Sequence, residues 1–261
     1  MQNKPCSHQT ARPAGSFVLL SDHDALATPP LSPSVVRHLA ALHIHTLADL
    51  KQRGVVTAFA LLKASGATVT KTVLWQMSAL CEHTHPQHLD AEHKQGLQDA
   101  LKALPPMHLP PNESEQQRFM QAALAQAQAA ADLGEIPIGA VVVYQGHIIA
   151  QAHNECMAQH FVGAHAEMLA LQRAGQALGS YRLPECDVYV TVEPCVMCCG
   201  ALLQARVKRV LYGIAEPKTG AVQSHLQLAA HPELNHHTAF FAGIAADSCR
   251  LLMQDFFKSK R

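Results

Sequence analysis

His165-Ala166-Glu167 and, further along the chain, Pro194-Cys195-Val196-Met197-Cys198 are the stretches from which the rest of the sequence is read. Together they offer one imidazole, two thiols and one free carboxylate. Zinc takes nitrogen and sulfur ligands in a tetrahedron, and a catalytic zinc keeps three protein ligands and leaves the fourth position to water. His165, Cys195 and Cys198 meet that count. A Cys-x-x-Cys at the start of a helix places both sulfurs within one turn, where the positive helix end favours the thiolate that binds metal. Pro194 suits such an entry. Glu167 is the informative extra residue, because a structural zinc site needs no acid two residues from its histidine. A hydrolytic site does, since a proton must leave the activated water and reach a leaving group. A Cys-x-x-Cys also fits half of a structural zinc knuckle or a redox pair, but no second Cys-x-x-Cys completes a knuckle, and a redox pair gives His165 and Glu167 no task.

The 261 residues allow one large domain or two small ones, and a hydrophobic fraction of 48% is ample for packed cores. No stretch reaches the roughly 18 apolar residues of a membrane span, and Phe17 to Leu20 is too short for a secretory core, so a cytoplasmic protein with no membrane partner is expected. Eight cysteines are scattered without the density of a secreted disulfide scaffold. Net charge is +0, with 20 basic and 20 acidic residues, so any polyanion site must be a local patch. Arg206, Lys208 and Arg209 form one basic group, which also reads as a solvated surface or a subunit interface.

Residues 1–29 mix Gln, Ser, Pro, Ala and Gly and read as a mobile tail. From about residue 30 to 104 the apolar spacing turns helical, through Val35, Leu39, Leu42, Leu47 and Leu50, with Gly54 as a helix end. Further helices are expected over Thr57 to Lys63, Thr70 to Leu80 and Ala91 to Leu104, with Trp75 as a core anchor. The run His45 to Leu50, Gly54, Ala58 to Lys63 and Leu74 to Leu80 resembles the C-terminal domain of the bacterial competence regulator family, which implies a small all-α helix-hairpin-helix-like domain. Ser32-Pro33-Ser34 and His43-Ile44 stand where those domains carry hairpin glycines. Backbone amides approach phosphates only where no side chain intervenes, so DNA binding is disfavoured and an accessory module is expected. A regulator acting through this domain, with the other half vestigial, is the alternative that an intact Glu167 argues against.

Residues 105–113 carry two Pro-Pro pairs and read as a stiff linker. Beyond it, Ser114 with Gln117 suggests a capping box for a helix to about Leu133. Ile138 to Tyr144 and His147 to Ala152 read as strands joined across Gln145-Gly146, and Asp187 to Val192 as a buried strand. Helices from His165 and Cys195, strands Arg209 to Gly213 and Thr238 to Phe241, and a closing helix from Ala245 to Lys258 complete an α/β three-layer sandwich over 114–261.

His-x-Glu followed by Pro-Cys-x-x-Cys is the pattern of zinc nucleobase deaminases. With Ile136-Pro137-Ile138-Gly139-Ala140-Val141, Asn154, Lys218-Thr219-Gly220-Ala221, Asn235-His236 and Asp255-Phe256-Phe257, residues 115–261 resemble bacterial tRNA-specific adenosine deaminases of the cytidine deaminase superfamily. The resemblance implies an α/β/α cytidine deaminase-like sandwich that converts wobble adenosine of tRNA to inosine, with deamination of a free nucleobase or nucleoside as the alternative. It implies one Zn2+ per subunit on His165, Cys195 and Cys198, with Glu167 shuttling protons. It further implies substrate contacts from Asn154, Ala166, Ile138, Glu216, Phe257 and Arg261, a tRNA anticodon stem-loop as partner and a homodimer. Glu216 stands where relatives usually have Asp, one methylene longer. Cys199 is expected to pack away from the metal, and Glu193 to serve structure rather than catalysis.

Overall fold

The structure, a computed structural model, describes residues 20–231 and 233–260. It divides into two compact units, Met1–Leu109 and Pro110–Arg261.

In the first unit, five helices form among the described residues: α1 (Pro33–Ala41), α2 (Leu47–Arg53), α3 (Val55–Ala64), α4 (Lys71–Cys81) and α5 (Ala91–Ala103). Local chemistry sets their ends. Ser32 Oγ accepts the Val35 amide ahead of Pro33, and Asp90 caps α5 by accepting from His93. Thr46 and Asp49 close a reciprocal capping box on α2. Gly54, at φ 81°, ends α2 and begins α3, a turn that a Cβ would strain. Leu39, Ile44, Leu47, Leu50, Phe59, Leu62, Leu74, Met77 and Leu80 make one apolar core. Trp75 is not the anchor expected of it: it is half-buried, and the Lys94 ammonium lies 5.5 Å from the ring centroid. Of the stretch read as a mobile tail, residues 1–19 lie outside the described residues. The remainder packs, because Leu26 is buried, its amide donates to His45 O at 2.8 Å, and Asp22 pairs with Lys51.

In the second unit, α6 (Glu113–Asp132) leads into the hairpin β1 (Gly139–Tyr144) and β2 (His147–His153), turning at Gln145 and Gly146 with φ of 50° and 77°. The helix is capped by Asn112, whose Oδ1 accepts the Glu115 amide, and not by Ser114. Asn112 wins because its Nδ2 also donates to the Glu115 carboxylate, which with Glu113 places acidic charge in the first turn. Then follow α7 (Cys156–Gln159), α8 (Ala166–Leu178), β3 (Cys186–Val192), α9 (Val196–Gln204), β4 (Arg209–Ile214), β5 (Ala239–Ala242) and α10 (Ala246–Ser259).

The strands form one sheet in the order β2-β1-β3-β4-β5, with β1 antiparallel to both neighbours and β3, β4 and β5 parallel. Alternation splits their side chains between two cores. Ala140, Val142, Val188, Val190, Val210 and Tyr212 pack with Ala166, Ala170 and Leu202 of α8 and α9. Val141, Val143, Tyr189 and Leu211 pack with Phe119, Met120 and Cys249 of α6 and α10. The result is helix, sheet, helix, and β3 is buried along its whole length as a doubly covered strand must be. At Gly139 the strand touches α6 so closely that a Cβ would overlap the Ala123 carbonyl and the Ala127 amide.

Candidate active site

Strand β3 runs out at Val192, and the next three residues, Glu193, Pro194 and Cys195, carry the chain to the N-terminus of α9. Cys195 is the N-cap of α9 and Cys198 lies one turn in; His165 is the N-cap of α8. Two helix starts therefore aim at one point. His165 Nδ1 lies 3.8 Å from Cys195 Sγ and 3.5 Å from Cys198 Sγ. These three are the residues that could hold a metal ion among the described residues. Zinc bonds of ~2.3 Å to sulfur and ~2.05 Å to nitrogen at a tetrahedral angle separate the donors by about 3.5 Å, so the observed spacing fits this ion.

The electrostatics of the cluster are those of a metal cradle. The Cys195 thiol is brought down to about 4, first by its hydrogen bond with Cys198 and then by that with His165. Cys198 is pushed up by the same bond to the Cys195 thiolate and by burial, and His165 is raised by its contact with Cys195. One sulfur thus holds negative charge before any cation arrives, and loading an ion releases the remaining protons.

Glu167, in the first turn of α8, is 3% exposed, and burial raises its pKa. Its Oε2 is buried with no hydrogen-bond partner among the described residues. A polar atom left in that state is costly unless a ligand or water completes it. Asn154, directly after β2, is 4% exposed and accepts the Ala166 amide on Oδ1 at 2.9 Å. Ala166 is fully buried, and its N–H donates to Asn154, which orients that side chain.

Asn154, His165, Glu167 and Cys195 line a cleft of about 700 Å³ with a mostly apolar wall. Ile138, Glu216 and Phe257 also line it. Arg261 lies outside the described residues. Cys199 is fully buried, its thiol directed at the Ala221 carbonyl, and it is not part of the ligand group. The basic group at 206–209 is largely neutralised: Lys208 pairs with Glu185 at 3.1 Å, and Arg209 grips Asp187 through two nitrogens at 2.7 and 2.5 Å.

Sequence reasoning missed Glu135. It is 3% exposed, lines the cleft, and accepts the amides of Met157 and Ala158 at 2.8 and 2.9 Å, which fixes the start of α7 at the cleft mouth. The signal available was an acid directly before an apolar Ile-Pro-Ile run, but its partners lie more than twenty residues on.

Comparison with known proteins follows the same boundary between units. Residues 114–261 match the MafB19-like deaminase family, and residues 24–101 match the TfoX C-terminal domain. A tRNA-specific adenosine deaminase of Agrobacterium fabrum is 40% identical over 148 residues, covering 57% of this chain and 97% of that protein. One of Bacillus subtilis is 39% identical over 143 residues, covering 55% of this chain and 89% of that protein. A solved structure from work on A-to-I editing by tRNA:A34 deaminases at the wobble position of transfer RNA superposes with a TM-score of 0.51 at 40% identity, covering 52% of this chain and 98% of that one.

Proposed function

The chain belongs to the MafB19-like deaminase family, and from that premise we propose that it hydrolytically deaminates adenosine to inosine at the wobble position of tRNA. The observation that carries the reading is the Glu167 carboxylate, buried and half unsatisfied beside a nitrogen and two sulfurs spaced for zinc. In this reading His165, Cys195 and Cys198 would hold one Zn2+, which would supply a water of lowered pKa. Glu167 would take one proton from the attacking water and pass it to N1 of adenine, then take the second proton from the new C6 hydroxyl and hand it to the amino group as it leaves as ammonia. Its raised pKa suits it to give as well as to take a proton. Asn154, with Oδ1 engaged by Ala166, offers its amide nitrogen to the flipped base, and Ile138 forms part of the apolar wall.

Glu216 and Phe257 sit on the same cleft, where they would meet the nucleotides beside the target base, a stem-loop presenting unstacked bases to aromatic and polar side chains. Lys260, near the end of α10, adds a cation at the rim. With Lys208 and Arg209 already paired, a cationic surface for the RNA is better supplied by two copies of the chain, so a homodimer acting on the anticodon stem-loop belongs to the proposal. A cytoplasmic location belongs to the same proposal, as tRNA is the substrate it names, and no helix among the described residues is long and apolar enough to cross a membrane. Residues 30–104 are proposed as an accessory domain, joined by the linker 105–113 to the deaminase domain over 114–261.

The test is inosine formation in an anticodon stem-loop incubated with the purified protein, with and without a chelator, against free guanine and cytidine as competing substrates. Inosine that appears in the RNA and vanishes with the chelator is expected. Turnover of the free bases with none of the RNA overturns the choice of substrate.

A further inference from the structure

Glu193 lies at the carboxyl end of β3, two residues before Cys195, and its side chain is 3% exposed. Its carboxylate collects five hydrogen bonds from a single loop. Oε1 accepts the backbone amides of Val222, Gln223 and Ser224 at 3.1, 2.8 and 3.0 Å. Oε2 accepts the Glu216 amide at 3.0 Å and the Ser224 hydroxyl. Burial alone would raise its pKa, but these donors outweigh it and the group is held below the usual carboxylate range.

The loop is drawn in tightly around this carboxylate. The Ala221 amide donates to Pro194 O at 2.9 Å, and Cys195 and Gly220 form a bridge. A Cβ on Gly220 would stand 2.6 Å from the Glu193 carboxylate and 2.5 Å from Glu216 O, so the loop closes only around a glycine. The same loop presents Glu216 and Thr219 to the cleft. The Glu216 side chain is in turn aimed by the Lys218 amide, which donates to its Oε1 at 2.9 Å.

We infer that Glu193 is a positioning residue: its carboxylate clamps the 216–224 loop to the end of β3 and thereby sets where Glu216 meets the substrate. Oε1 holds the far end of the loop, and Oε2 ties that end, through the Ser224 hydroxyl, to the residue that faces the cleft. The inference rests on the deaminase reading for its effect on RNA, while the clamp itself is a property of the chain.

Glu193→Gln separates the two oxygens. Its carbonyl can keep the three amides at Val222, Gln223 and Ser224, but its NH2 then faces the Glu216 N–H, donor against donor. In the full chain loaded with zinc, the metal content stays as in the wild type, and KM for the stem-loop rises about tenfold with kcat little changed. Glu216→Ala raises KM on its own, and adding Glu193→Gln to it costs nothing further. Penalties that multiply, or a loss of zinc or kcat in Glu193→Gln, overturn the inference. Ser224→Ala, which removes a donor to the same oxygen, gives a smaller rise in KM that also disappears in the Glu216→Ala background, and it decides the matter if Glu193→Gln does not fold.

Amide hydrogen exchange provides the reading that needs no substrate. Glu193→Gln speeds exchange at Glu216 while residues 222–224 stay protected; unchanged exchange at Glu216 overturns the clamp. If the wild type leaves the RNA untouched yet Glu216 exchanges faster in the variant, the choice of substrate falls and the clamp stands.

Discussion

Polar burial divides the two units. Among the described residues of the first unit, Ser78 is the buried polar side chain, and its hydroxyl bonds to Glu82 at 3.0 Å. The second unit buries Glu135, Asn154, Glu167, Asp187, Thr191, Glu193 and Thr238. Four of these, Glu135, Asn154, Glu167 and Glu193, line one cleft. Withdrawing a carboxylate from water costs free energy unless bonds replace the lost hydration, so three in one place point away from folding and toward chemistry. Within the cleft the contrast sharpens: Glu193 is bonded through both oxygens and Glu135 accepts two backbone amides on Oε1, whereas Glu167 keeps a buried oxygen with no partner among the described residues. The acids that gather backbone amides build walls, and the one with the orphaned oxygen is left for the reaction.

That contrast breaks first at Glu167. Glu167→Ala is expected to lower kcat on the stem-loop by about 10³-fold or more while zinc content, measured by atomic absorption, stays intact. Near-normal turnover would show that an open buried oxygen means nothing here. Stripping the metal with a chelator should abolish turnover and lower the thermal transition of the second unit alone, since among the described residues the donor set for an ion lies in that unit. A matching shift in both transitions, followed by calorimetry, would erase the division.

Smaller effects belong to the first unit. Leu62→Ala, at a fully buried position, should cost that unit about 2–5 kcal/mol in urea unfolding and leave the deamination rate unchanged. A rate that falls in step with unfolding would make the helical unit part of the catalytic machinery. Thr46→Ala removes the α2 cap and should cost about 1 kcal/mol, again without touching turnover.

Much of the second unit was legible because metal chemistry and strand periodicity are short-range codes. His165, Glu167, Cys195 and Cys198 are read from two tripeptide-scale motifs, and strands such as Asp187 to Val192 from an unbroken apolar run. What escaped depends on distance along the chain or on near-degenerate local choices. Asn112 and Ser114 both head a plausible capping box, and the first-turn acids decide between them. The amides that Glu135 and Glu193 accept come from residues 22 to 31 positions on, which no local pattern announces. Ala166 shows the same limit, since only the fold reveals that its N–H already belongs to Asn154. In the first unit, Leu26 sits in a stretch whose composition suggests no order, and a single buried leucine with one backbone bond is too faint a signal to read.

Parallel strands cannot be joined by a tight turn, and the link from β3 to β4 runs through α9. That same length of chain supplies both sulfurs. Between Cys195 and Cys198 an added or deleted residue would break the ligand spacing within the crossover itself, so this interval has no slack for engineering. New termini or grafted peptides belong instead at the Gln145-Gly146 hairpin, whose exposed tip serves neither purpose.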